Sequence, residues 1–123
     1  MLEAARAASA KQAHRIVILD VSQLLGITDF FLICSGNSDR QVRTIADEIE
    51  RRLRIERRLR PARREGEREA RWVVLDYIDF VVHVFHQEDR DYYELERLWS
   101  DAPLLSLEEE RWTQDDSAAA QAT

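Results

Sequence analysis

The segment from Trp72 to Trp99 reads WVVLDYIDFVVHVFHQEDRDYYELERLW and joins two apolar runs to a short aromatic stretch. The runs 72–75 and 80–85 are rich in β-branched and aromatic residues, and the short connection between them predicts an antiparallel hairpin. Asp91 stands where it can cap a last helix. One face of that helix would carry four residues at helical spacing: Tyr92, Leu95, Leu98 and Trp99.

The first half of the chain predicts two helices and two strands. An alanine-rich stretch from Leu2 to Ala13 favours a helix, and compact apolar runs at 16–21 and 30–35 favour buried strands. Ser38, followed three residues later by Gln41, is a candidate capping box for the second helix. The apolar face of that helix would consist of five residues: Val42, Ile45, Ala46, Ile49 and Leu53.

Pro61 ends this helix, because proline lacks an amide donor and disfavours the α conformation in the residue before it. The charged segment 61–70 contains a glycine and predicts a loop with a short edge strand. The order helix, strand, strand, helix, strand, strand, helix predicts a single α/β domain over residues 1–100, with a mixed β-sheet flanked by helices. We expect the acidic tail 101–123 to be disordered.

The composition limits the classes of protein to which this chain can belong. With 123 residues, 45% of them hydrophobic and 34% charged, the chain can bury one compact core. Its apolar runs are far shorter than the ~20 residues that span a bilayer, and the N-terminus does not resemble a secretory signal. The single cysteine, Cys34, cannot form an internal disulfide and fits a reducing compartment. We therefore expect a cytoplasmic protein that contacts no membrane.

The formal net charge of −6 is unevenly distributed along the chain. Residues 51–71 include ten arginines and four glutamates, whereas residues 101–123 include six acids and one arginine. Arginine forms bidentate contacts with phosphate, so the basic segment could meet RNA. The interleaved glutamates also fit a solvated helix face with local ion pairs, and the sequence leaves both interpretations open.

Recognisable metal or catalytic motifs are absent from the sequence. His83 and His86 are three residues apart in a predicted strand, so they point to opposite faces and cannot hold one ion; which of them faces the core stays open. The segment 35–39 could cradle a phosphate, but helix capping explains Ser38 without a ligand. Four aspartates at predicted strand ends fit turns better than a catalytic pair: Asp20, Asp29, Asp76 and Asp79.

Aromatic side chains are concentrated in the segment 72–99. Seven of them occur there: Trp72, Tyr77, Phe80, Phe85, Tyr92, Tyr93 and Trp99. Such residues dominate both domain cores and the energetic centres of interfaces. Tyr92 and Tyr93 would point about 100° apart on a helix, so they cannot be equally buried. This pattern favours a protein-binding patch over a chemical site.

Short motifs in both halves of the chain are specific when they are taken together. The first half contains LDV at 19–21, ITDFFLICSG at 27–36, RQV at 40–42 and IAD at 45–47. The second half contains EG at 65–66, Trp72, LDY at 75–77, Asp79, VVHVF at 81–85 and R..YYELERLW at 90–99. Residues 16–99 resemble the ribosomal silencing factor family, which is also called RsfS or Iojap.

The resemblance implies a fold similar to degenerate nucleotidyltransferases and a homodimer in the cytoplasm. It also implies binding to the large ribosomal subunit at its inter-subunit face, through large-subunit ribosomal protein fourteen. A protein at that place sterically blocks subunit joining and represses translation, so it needs neither enzymatic activity nor a cofactor. The alternative is a nucleotidyltransferase-like enzyme or nucleotide-binding protein that uses 35–39 and the nearby aspartates.

We expect the hairpin and the last helix to supply the docking surface, and the basic segment 51–71 could add a minor contact to ribosomal RNA. The expected partner-binding residues are Trp72, Asp76, Tyr77, Asp79, His83, Arg90, Tyr93, Leu95 and Trp99. This chain has Ile78 where the family commonly has glycine, and a β-branched residue resists positive φ, so we expect a locally different turn. The helix that ends near 53–59 also lacks the glycine common at that place, so its end stays open.

Overall fold

The computed structural model describes residues 1–23, 26 and 28–93, with the side chains of 91–93 excepted. The elements are α1 (Leu2–Ala10), β1 (His14–Asp20), β2 (Phe30–Gly36), α2 (Asp39–Arg57), β3 (Arg63–Glu65), β4 (Trp72–Asp76), β5 (Phe80–His86) and α3 (Gln87–Tyr93). The predicted α/β class, hairpin and edge strand are confirmed. The expected acidic tail and the later part of the expected last helix lie outside the described residues.

The five strands form one mixed sheet in the order β1-β2-β5-β4-β3. At its centre β2 and β5 run parallel, with Phe30 opposite Phe80 and Gly36 opposite His86. The other neighbouring strands are antiparallel. A parallel pair needs a crossover connection, and α2 lies in the stretch of chain that provides it.

Helices α1 and α2 pack together and cover one face of the sheet. The five apolar residues predicted for α2 are all fully buried there, which confirms the helical spacing read from the sequence. Cys34 lies on the same side, and burial raises the pKa of its thiol to about 12. The thiol is therefore an inert part of the core.

The ends of α2 are fixed by local hydrogen bonds. Ser38 caps the helix, because its side chain accepts from the Gln41 amide at 3.1 Å. The Gln41 side chain reaches back to the amide of Asn37 at 2.6 Å, one residue earlier than a standard capping box requires. At the other end Arg58 adopts the left-handed conformation, with φ at 56°, so the helix stops without a glycine.

Two predicted helix boundaries are wrong. Helix α3 begins at Gln87, four residues before Asp91, because the Nδ1 atom of His86 accepts from the Glu88 amide at 3.2 Å and acts as the cap. Helix α1 ends at Ala10 instead of Ala13, since the chain turns there and Gln12 has a φ of 62°.

Gly66, in the connection between β3 and β4, is required by a close backbone approach. Its φ is +81°, and a Cβ atom at this position would lie 1.9 Å from the carbonyl oxygen of Trp72. Gly26 also has a positive φ, +73°, but none of the described residues has an atom within 4 Å of its Cβ position. A side chain at position 26 would therefore introduce backbone strain alone, whereas a side chain at position 66 would introduce both strain and steric overlap.

Replacing Gly66 with alanine is expected to lower the free energy of unfolding by more than about 2 kcal/mol, because strain and overlap act together. Gly26→Ala introduces the strain alone and is expected to cost about 1 kcal/mol. Urea denaturation of both variants and the wild type measures the difference. Equal losses would show that the Trp72 carbonyl does not constrain position 66.

Candidate protein-docking face

The face of the sheet opposite α1 and α2 carries the side chains that alternate with the helix-facing ones. The strand register aligns them in rows across the sheet, with Val74 beside His83 and Ile33, and Asp76 beside Val81 and Phe31. We call this the second face. Its buried cluster comprises Leu19, Val21, Phe31, Ile33 and Phe85, with Val17, Trp72 and Val81 packed against it and partly exposed.

His83 lies at the centre of an aromatic group on the second face. Its ring makes an edge contact with Phe31 at 4.7 Å between ring centroids. Its Nδ1 atom accepts from the indole Nε1 of Trp72 at 3.1 Å. Trp72 in turn stacks on Phe85 at 4.7 Å. These contacts fix the orientation of Trp72, whose own side chain stays partly exposed.

The charge state of His83 follows from its surroundings. The residue is 7% exposed, and burial lowers the pKa of its imidazole to about 4, so the ring is neutral at physiological pH. Because Nδ1 accepts a hydrogen bond, the proton of the neutral ring lies on Nε2. No described residue accepts a hydrogen bond from that buried Nε2 atom.

A cavity of about 400 Å³ opens on the second face beside His83. Its walls are formed by Thr28, Phe31, Arg63, Val74, Asp76, Ile78, Val81 and His83. Two of these residues, Thr28 and His83, have a buried polar atom without a partner among the described residues. Most of the wall is apolar, which makes the cavity a candidate binding pocket for a side chain of a partner.

The turn between β4 and β5 forms one edge of this cavity. Asp76 accepts from the Ile78 amide at 2.8 Å and pairs with Arg63 at 3.4 Å. The first contact is an Asx turn, which holds Ile78 at a φ of 74°. Ile78 thus adopts the positive φ that a β-branched residue was expected to resist, and whether the turn differs from that of the family stays open. Ile78 itself is 64% exposed.

Three of the predicted partner-binding residues are brought together on the second face: Trp72, Asp76 and His83. Asp79 is exposed in the adjoining turn.

Tyr77 is 8% exposed and stacks on Phe80 in the core under the helices, at 5.0 Å between centroids. Burial raises the pKa of its phenol to about 12. Tyr77 is thus positioned to support the hairpin, and its expected part in partner binding stays a prediction.

Arg90 also lies inside the domain. It is 1% exposed and donates to the carbonyl oxygens of His14 and Arg15 at the start of β1. Its contacts make it a link between α3 and β1, and its expected part in partner binding stays a prediction. The side chain of Tyr93, together with Leu95 and Trp99, lies outside the described residues, so their expected role stays a prediction.

Sequence reasoning missed several residues that line the cavity. Val74 and Val81 share the strand parity of Trp72 and His83, so alternation along the hairpin could have identified both. Ile78 was considered only as an obstacle to the turn, although it is the most exposed apolar residue among those that line the cavity. Thr28 and Arg63 come from other segments, and only the fold brings them to the cavity.

The segment 35–39, considered as a phosphate cradle, is engaged in internal contacts. Ser35 donates to the carbonyl oxygen of His14 at 3.1 Å, and Ser38 caps α2. Within the described part of the chain, no group of three His, Cys, Asp or Glu side chains is placed to hold a metal ion. Over the same residues, no helix combines the length and the apolar character needed to cross a membrane.

Comparison with known proteins identifies relatives that match most of this chain. The profile "Ribosomal silencing factor during starvation" (RsfS) matches residues 1–123. A Bacillus subtilis protein named "Ribosomal silencing factor RsfS" is 49% identical over 105 residues, which cover 85% of this chain and 88% of the relative. A crystal structure of a Chromobacterium violaceum protein superposes with a TM-score of 0.76 at 33% identity and covers 80% of this chain and 81% of its own.

A more distant relative comes from an animal. The mouse protein named "Mitochondrial assembly of ribosomal large subunit protein 1" is 29% identical over 92 residues, which cover 73% of this chain and 40% of the mouse protein. The matched profile spans the full chain, and the bacterial relative matches over most of its own length. The chain belongs to the ribosomal silencing factor family.

Proposed function

We propose that this protein binds the large ribosomal subunit at its inter-subunit face, through large-subunit ribosomal protein fourteen, and so blocks subunit joining and represses translation. Family membership supports the silencing role, and the name of the mouse relative supports the large subunit as the partner. The attachment would use the open end of the second face, which we call the docking face. Its residues are Arg63, Trp72, Val74, Asp76, Ile78 and Val81.

The observation that carries this proposal is the incomplete burial of the docking face. Val74 and Val81 are partly exposed beside the cavity, and Ile78 projects from its rim with 64% of its surface accessible. An apolar surface of this kind, with a pocket and a polar rim, is typical of a protein interface. The rim is supplied by the Arg63–Asp76 ion pair.

The docking face is also held in a single arrangement. Trp72 is oriented by its hydrogen bond to His83 and by stacking on Phe85, and the turn is fixed by Asp76. A surface that is ordered before binding loses less conformational entropy when the partner docks. The buried Nε2–H of His83 can then serve as a donor to a partner's oxygen if the cavity wall yields on binding.

In the proposed mechanism the protein acts by occupying the joining surface of the large subunit, and it catalyses no reaction. A protein bound at the joining surface excludes the small subunit by volume alone, so no group has to act as a nucleophile or a general base. We further propose that the protein acts in the cytoplasm as a homodimer. Analytical ultracentrifugation across a concentration series tests the dimer independently of ribosome binding.

The primary experiment is sedimentation of purified large subunits with this protein, followed by addition of small subunits. Co-sedimentation with large subunits and loss of intact ribosomes are the expected results. Binding without an effect on joining would reject the proposed position on the subunit. Thermal unfolding with and without ATP and magnesium tests the alternative nucleotide-binding function, since a bound ligand raises the midpoint.

Replacing Ile78 with alanine is expected to weaken binding to large subunits about tenfold, or about 1.4 kcal/mol, because an apolar anchor at the cavity rim is lost. The matched control is Ile55→Ala on α2, where an isoleucine is similarly exposed, at 57% compared with 64%. We expect the control to bind large subunits within a factor of two or so of the wild type. If the two variants bind large subunits with equal affinity, Ile78 does not contribute to the docking face.

The docking face depends on an uncharged His83, and this dependence gives a pH effect on stability. The folded-state pKa is about 4, below the ordinary value of 6.5, so between these values the unfolded chain binds a proton that the folded protein excludes. The free energy of unfolding therefore falls as the pH drops below about 6.5, and this loss levels off below about 4.

From pH 7 to pH 5, urea denaturation is expected to show a loss about 2 kcal/mol larger in the wild type than in His83→Gln. Glutamine cannot titrate, and its amide oxygen can still accept from Trp72. His14 and His86 remain in both proteins, so their contributions cancel in the difference. The same pH dependence in both proteins would contradict a neutral, buried His83.

A further inference from the structure

The end of α2 carries four arginines within seven residues: Arg54, Arg57, Arg58 and Arg60. We call this group the arginine end. The first three lie at positions i, i+3 and i+4 of the last helical turn and its cap, so they project from one side of the helix. All four are exposed. Glu56 is the one acid inside this stretch of sequence.

Most of the other arginines of the basic segment 51–71 pair with acids within the domain. Arg51 and Arg52 both pair with Glu48, at 2.8 and 3.5 Å. Arg64 is held by three acids: Asp47, Glu50 and Glu67. Arg71 is likewise held by three: Asp39, Glu88 and Asp89. The acids that pair with these four arginines thus lie mostly outside the segment 51–71, and Glu67 is the one interleaved glutamate among them.

The arginine end differs from these pairs. Arg57 has one loose contact, 3.9 Å to Glu3. Within the described ranges, no acid lies within ion-pair distance of Arg54, Arg58 or Arg60. Glu56 offsets one of the four positive charges, so the arginine end keeps a net positive field. Acids farther than about 8 Å are screened at physiological salt. The overall negative charge of the chain does not remove this patch.

We propose that the arginine end binds the phosphate backbone of RNA next to the protein-docking face. The proposal rests on the function proposed above and adds a second kind of contact to it. The chemistry favours phosphate, because guanidinium groups donate bidentate hydrogen bonds to it and keep their charge at every physiological pH. Clustered cations on one side of a helix follow a line of phosphates and release its counterions.

The arginine end adjoins the docking face through a short connection. The chain leaves Arg60 and reaches Ala62, whose amide donates to the carbonyl oxygen of Asp76 at 2.7 Å. The next residue, Arg63, pairs with the Asp76 side chain. Asp76 belongs to the rim of the cavity, so a partner protein in the docking face and an RNA strand at the arginine end could be bound together.

Paired variants test this proposal with full-length protein. Arg54→Gln with Arg60→Gln removes two charges from the arginine end and leaves Arg58 at its left-handed position. The control, Arg40→Gln with Arg68→Gln, removes two exposed charges that also lack an acid partner among the described residues. Thermal unfolding verifies that all the proteins are folded.

The first measurement is the affinity for a short RNA duplex of arbitrary sequence over a series of salt concentrations. If four arginines contact phosphates, the wild type is expected to show a slope of about −3.6 in a plot of log affinity against log salt. The Arg54/Arg60 variant is expected to be shallower by about 1.8, and the control is expected to keep the wild-type slope. Equal slopes for both variants would overturn the proposal.

The second measurement repeats the salt series with purified large subunits, with polyglutamate as a competitor. A shallower slope for the Arg54/Arg60 variant alone supports the RNA contact on the subunit. Subunit binding with an unchanged slope overturns it and leaves the proposed function intact. If the wild type fails to bind subunits, the proposed function fails, and the duplex series still decides whether the arginine end binds RNA. If polyglutamate displaces the protein from large subunits as well as the RNA duplex does, the proposal that RNA is the ligand is overturned.

Discussion

The parallel pairing of β2 with β5 is the constraint on which the rest of the fold depends. The two strands are far apart in the sequence, and all seven residues of each are paired. Because parallel strands cannot be joined by a tight turn, the chain between them has to cross over, and α2 covers one face of the sheet as a result. The antiparallel strands β1 and β4 then extend this central pair outward on either side.

Because side chains alternate along each strand, the two faces of this sheet have different roles: one forms the core and the other carries the docking face. Val82 and Val84 point into the core under α1 and α2, whereas His83 and Phe85 belong to the second face. The first face contributes stability by burying apolar surface. The second face combines aromatic packing with buried polar atoms, on Thr28 and His83, that find no partner among the described residues. Such atoms are costly unless something else satisfies them. In our proposal, the partner of the docking face is what satisfies them.

The sequence was sufficient where the local signals agreed with one another. Helix α2 could be predicted because a serine cap and an apolar repeat agree, and the hairpin because its two runs are closely spaced. The start of α3 was missed because a histidine ring, His86, replaces the usual capping side chain. The face occupied by Tyr77 was missed because turn residues follow no periodicity. The positive φ of Ile78 depends on the side chain of Asp76, which propensities of single residues do not capture.

The two outer strands of the sheet have consequences for self-association. An exposed strand edge is a template for pairing with another chain, and this sheet ends at β1 and β3. The ladder of β1 is interrupted by an irregularity between His14 and Val17, where Arg15 has a φ of 52°, and Arg90 occupies carbonyl groups at that point. β3 is three residues long and carries two arginines. Within the part of the chain that the structure describes, both outer strands are thus poor templates for growth of the sheet into an aggregate.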